Sequence, residues 1–101
     1  MTKTYLEIYT NSVKAIVETI TDQNGDVYEP SGASRTIYNS DGEVVAAEQA
    51  AMVATNEIST IIDTDVTATA GVYKIIWEIE KEVGENTYVD YHVTELRVID
   101  P

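Results

Sequence analysis

Tyr73, Ile75, Trp77 and Ile79 recur at two-residue intervals after the turn pair Ala70-Gly71, with Lys74, Glu78 and Glu80 between them. Side chains along a β-strand alternate between faces, so this spacing gathers the apolar residues on one side and the charges on the other. The pattern predicts a strand with one dry and one wet face near the centre of an antiparallel sandwich. Trp77 shares phase with Ile75 and Ile79 and is expected in the core. Ile76, opposite in phase, is expected to point away from it.

The same period continues along the chain. Residues 5–9 read as a first strand ended by Asn11-Ser12, and 13–20, rich in β-branched residues, as a second. The second stops at Thr21-Asp22-Gln23-Asn24-Gly25-Asp26, where Asn24-Gly25 is a turn signal. Residues 27–32 read as an edge segment or a crossing loop, because Pro30 removes a ladder donor. Residues 33–39 then pair through the Ser40-Asp41-Gly42 turn with 43–45 as a hairpin. The stretch 43–55 is rich in Ala, Glu, Gln and Met, which favour helix. A strand followed by a loose or short second strand is the expectation there, with a short helix as the alternative.

Residues 58–62 form a further expected strand, and 64–67 a loop. Gly84-Glu85-Asn86 turns the long central strand back into 87–99. On that last run Val89, Tyr91 and Val93 alternate in one phase and Leu96 and Val98 in the other, which suggests a β-bulge near Thr94-Glu95. About seven strands with regular turns in one domain spanning 1–101 predict an all-β fold, an immunoglobulin-like antiparallel β-sandwich. Tyr73, two residues after Gly71, stands where such sandwiches place a corner tyrosine that bonds back to the preceding backbone.

The succession Thr21-Asp22-Gln23-Asn24-Gly25-Asp26, Ser31-Gly32-Ala33, Ser40-Asp41-Gly42, Ala70-Gly71-Val72-Tyr73 and Leu96-Arg97-Val98 resembles the Ig-like β-sandwich domains of tailed-phage structural proteins. Among these it is similar to the N-terminal domain of the phage baseplate upper protein family. The resemblance runs from about Val13 to Ile99 and rests on turn and core positions; residues 43–55 fit it least. It implies a virion or prophage structural module without catalytic residues, found in the virion or in the cytoplasm before assembly.

Composition narrows the chemistry. Eighteen Asp and Glu against six dispersed Lys and Arg give a formal charge of -12, which argues against nucleic acid and anionic lipid as partners. Without cysteine there is no disulfide, thiolate metal site or thiol nucleophile. No run approaches the ~20 apolar residues of a membrane span, and the N-terminal residues lack the apolar core of a signal peptide, so a soluble protein is expected. His92 is the only histidine and is read as a strand-surface or partly satisfied residue, not as a catalytic base. The segment from Asp22 fails the EF-hand pattern, since Val27 and Ala33 stand at its sixth and twelfth positions. A calcium site using Asp63 and Asp65 is a lesser alternative. No cofactor, metal or small-molecule ligand is expected.

Tyrosine is the residue type best suited to contact, combining a rigid ring with a polar tip, and the chain has seven Tyr and no Phe. Tyr5, Tyr9, Tyr28, Tyr38, Tyr88 and Tyr91, together with Ile76, are the candidate interaction surface, for a protein partner or for self-association. A line of exposed tyrosines on one sheet face would instead favour a small binding module for carbohydrate or another cell-surface ligand.

Overall fold

A computed structural model of the chain describes residues 2–22, 24–26 and 28–101. Gln23 in the first long turn and Val27 at the start of the expected crossing segment lie outside the described residues, as does Met1. The described residues form eight strands and one short helix: β1 Thr2–Tyr9, β2 Lys14–Thr19, β3 Gly32–Asn39, β4 Val44–Ala50, β5 Met52–Ala54, β6 Glu57–Ile62, α1 Thr64–Thr67, β7 Gly71–Val83 and β8 Asn86–Ile99. They build an all-β sandwich of a larger sheet, ordered β1-β8-β7-β3-β4, and a smaller one, ordered β2-β6-β5.

The two-residue period determines which residues fill the space between the sheets. Ile75, Trp77 and Ile79 from β7, Ile37 from β3 and Leu96 and Val98 from β8 face Ile16, Ile58 and Ile62 of the smaller sheet. Burying each such side chain contributes roughly 1.5–3 kcal/mol, so this apolar row holds the layers together. Val66 of α1 closes one end of the core. That helix is a single turn where a loop was expected. Asp63 caps it by accepting the Asp65 backbone N–H at 2.9 Å.

Within residues 43–55 the chain forms two strands, β4 and β5, despite a helix-forming composition. The reason lies in the preceding turn, where Asn39 Oδ1 accepts the backbone N–H groups of Asp41 and Glu43, both at 3.0 Å. Gly42 adopts φ 82° there, and the chain returns alongside β3. Pairing with a neighbouring strand outweighs intrinsic propensities of a few tenths of a kcal/mol per residue.

Two expectations need correction. β1 runs parallel to β8, so the sandwich, of eight strands among the described residues, is not wholly antiparallel. No bulge interrupts β8 near Thr94-Glu95: its register with β7 is unbroken from Gly71↔Val98 to Val83↔Asn86, and with β1 from Thr2↔His92 to Tyr9↔Ile99. The inward phase of β8 is His92, Thr94, Leu96 and Val98; Val89, Tyr91 and Val93 lie on the opposite phase. The register shifts fall between β3 and β4 instead, at Arg35/Ile37 and Ile37/Tyr38.

The β7–β8 hairpin outreaches the sheets around it. Pairing with β3 ends at Gly32↔Glu80 and pairing with β1 starts at Thr2↔His92. The end of the hairpin therefore projects, which accounts for a long axis of 46 Å against 21 and 19 Å. Tyr73 ties the other end of β7 to its corner, its hydroxyl donating to the Thr69 carbonyl at 2.7 Å. Tyr73→Phe is expected to lower stability by about 1 kcal/mol, read as a lower urea midpoint at unchanged slope. An unchanged midpoint would mean that the hydroxyl does not hold the corner.

Candidate functional site

Four of the nominated tyrosines gather on one surface. On the outer face of the larger sheet, register aligns Tyr5, Glu95, Lys74, Tyr38 and Val44 in one row across all five strands. Tyr9 lies further along β1 and Tyr91 back toward the start of β8, on opposite sides of that row, 56% and 46% exposed. Ile76 belongs to this face, half-buried between Val93 and Thr36. Lys3 covers the Tyr5 ring at 5.3 Å and pairs with Glu95 at 3.8 Å. The face is therefore mixed in character, with rings separated by charges of both signs.

Tyr28 and Tyr88 stand apart from it, near the projecting hairpin. Lys81 packs over the Tyr28 ring at 4.6 Å and reaches Asp22 at 3.5 Å. Burial, with the charges of Asp90 and Asp22, raises the Tyr28 pKa. Asp22 folds its own loop, one carboxylate oxygen accepting the N–H groups of Asn24 and Asp26, both at 2.9 Å. Those bonds, that from Asp26 foremost, hold its pKa below the ordinary value. Among the described residues no group of three or more His, Asp or Glu could hold a metal ion. Nor is any helix long and apolar enough to cross a membrane.

The densest polar chemistry lies between the sheets, where sequence patterning predicted an apolar core. His92 is buried, not on a strand surface, with only 3% of its area exposed. Its Nε2 stands 2.6 Å from Glu18 Oε2, the inward carboxylate of β2. Thr4 of β1 donates to the same oxygen at 2.7 Å. Thr94, fully buried, accepts the Trp77 indole N–H at 2.9 Å and also bonds toward Glu18. Burial opposes ionisation of Glu18, but the hydrogen bonds from His92, Thr4 and Thr94 and the charge of His92 together outweigh it. The carboxyl is held below its ordinary pKa.

This cluster bridges the two sheets. In a Ser-His-Asp arrangement the carboxylate and the nucleophile occupy opposite ring nitrogens. Here Glu18 and Thr4 crowd the same nitrogen, Thr4 at 3.4 Å, and the Thr4 hydroxyl donates to the carboxylate. The arrangement holds a carboxylate and an imidazole together out of water, and its geometry differs from that triad.

Arg35 is the second buried polar group that residue patterning missed. It points inward from β3, its guanidinium donating to Thr60 Oγ1 at 3.1 Å, the Ala47 carbonyl at 2.6 Å and Gln49 Oε1 at 2.5 Å. Burial lowers its pKa, and the charge of Asp63 opposes that effect. The adjoining groove, about 510 Å³, is lined also by Glu48, Asp63 and Asp65. Carboxylates surrounding an already bonded guanidinium do not form an anion site. Strand parity was the available signal for both clusters, since Glu18, Arg35 and His92 share phase with core residues.

No family model, curated protein or solved structure matches the chain.

The pH dependence of stability should expose the Glu18 cluster. A carboxyl whose pKa is lowered by folding stabilises the native state above its unfolded value, and that contribution is lost as pH falls through the folded one. The melting temperature is therefore expected to fall on acidification below the ordinary glutamate value of 4.5, more steeply in wild type than in Glu18→Gln. Parallel profiles for the two proteins would exclude the assignment.

Proposed function

We propose that this chain is an immunoglobulin-like sandwich serving as a non-enzymatic structural or assembly module of a phage or prophage virion, acting through protein-protein contacts. The arrangement of β1 parallel to β8, the two-sheet strand order and the Tyr73 corner support the immunoglobulin-like part of this reading. The virion setting follows from the resemblance of its turn and core positions to tailed-phage sandwich domains. One observation carries the contact role: Tyr5, Tyr9, Tyr38, Tyr91 and Ile76 share the outer face of the larger sheet, on a rigid layer. Tyrosine contributes contact area there at low entropic cost, and the alternating Lys and Glu supply directional pairing.

Light scattering from micromolar to millimolar concentration tests self-association through this face. The mass is expected to rise in wild type and to stay monomeric in a Tyr5→Ser/Tyr38→Ser variant. A monomer throughout would remove self-association, and turnover of a substrate that vanishes in His92→Ala would overturn the non-enzymatic reading.

The shared face also gives a carbohydrate-binding module its one favourable observation. Tyr5 and Tyr38 lie roughly 14 Å apart, three strand spacings, with Glu95 and Lys74 between them. Such spacing interrupts a stacking platform and favours a protein partner. If sugar binding were the task, oligosaccharide titration should produce saturable NMR shifts at Tyr5, Tyr9, Tyr38 and Tyr91. Protein contact predicts none.

A further inference from the structure

The outer face of the smaller sheet carries exposed apolar side chains in adjacent rows. Val17, Ile61 and Met52 stand on it 53%, 58% and 57% exposed. Register places Ala15 beside Ile61, and Val17 beside Ser59 and then Met52. Val13, just before β2, adds another side chain at 64% exposure. These rows carry no charge, on a chain that is 24% charged. The first charge met is Glu57, in the end row between Thr19 and Ala54. Asp63 follows the other end of β6 and is also exposed. The larger sheet, by contrast, places Lys3, Lys74 and Arg97 on its outer face beside Glu7 and Glu95.

We propose that this apolar face docks a different protein, one presenting an apolar strip bordered at both ends by Lys or Arg. The inference rests on the assembly reading above and adds a second surface to it. Exposed apolar patches of a few hundred Å² are often functional, and polar borders strengthen that reading. Size and charge together select the occupant. Three strands of about six residues span roughly 20 Å by 10–15 Å, or about 200–300 Å². A second copy laid face to face would bury roughly twice that, short of the ~1,000 Å² of a stable interface. Either in-plane twofold axis would also set Glu57 against Glu57 or against Asp63, acid on acid. A partner with basic ends turns both repulsions into attractions and can extend the contact beyond the patch.

Site-specific photocrosslinking in the native assembly tests this. Benzoylphenylalanine is placed singly at Val17 and Ile61, with Tyr5 and Tyr38 as comparison sites, in cells or particles that make the full protein. The expected result is a crosslink from Val17 and Ile61 to one other protein, in a peptide that is apolar with Lys or Arg at both ends. Its yield should drop several-fold in Glu57→Lys/Asp63→Asn, which keeps an N-cap on α1. Crosslinks at Val17 or Ile61 to a second copy, or to a peptide without basic ends, would overturn the proposal. So would silence at both sites. Silence there with crosslinks from Tyr5 and Tyr38 would reject this face and leave the assembly reading intact; silence at all four would reject both.

Discussion

The contact between Glu18 and His92 is the constraint on which the rest of the sandwich depends. It joins the smaller sheet to the larger at 2.6 Å, across an interior that is apolar apart from this cluster and the Arg35–Thr60 bond. A carboxylate taken out of water loses several kcal/mol of hydration, regained only if its partners are held in place. Those partners come from two strands, Thr4 of β1 and His92 and Thr94 of β8, with Trp77 of β7 bonded to Thr94. Sliding β2 or β8 by one residue would turn Glu18 or His92 to the opposite face and strand the other inside. Apolar packing alone tolerates substitution and small shifts. The polar cluster favours one register of both sheets, and through Thr4 it fastens β1, an edge strand that pairs only with β8.

Much of this architecture was legible in the residues because a half-buried strand announces itself by alternation. The Tyr73 to Ile79 row, the 39–43 turn and the Tyr73 corner all follow from local spacing. The Glu18–His92 cluster did not, because polar residues in a core phase look like surface. Parity was nevertheless available: Glu18 lies between Ile16 and Ile20, and His92 and Thr94 continue the phase of Leu96 and Val98. The phase change taken for a bulge has a different origin. The first six residues of β8 are all exposed, so alternation there carries no information about an interior. Parallel pairing of β1 with β8 and the single turn of α1 were beyond reach for another reason. Contacts between residues some ninety positions apart, and a four-residue helix, leave no periodic trace.

The candidate surface was legible in kind but not in arrangement. Residue type marks tyrosine as amphipathic wherever it stands. Strand order decided that Tyr5 and Tyr38, on strands distant in sequence, share one row while Tyr28 and Tyr88 do not. The apolar face of the smaller sheet escaped attention because its residues are unremarkable one by one. Val17, Ile61 and Met52 become a patch only when β2, β6 and β5 are laid side by side.

The buried cluster and the two outer faces are linked by the pleat. Glu18 directed inward forces Val17 outward, and His92 directed inward sends Tyr91 and Val93 to the other side of the larger sheet. The same Glu18–His92 contact that selects the register therefore selects which side chains are displayed on both faces. A substitution that releases Glu18 or His92 acts on the surfaces as well as on stability, because a slipped β2 would bury Val17 and expose a carboxylate in its place. Loss of contact in such a variant would thus report on register. Only outward substitutions, which leave the cluster untouched, separate display from folding.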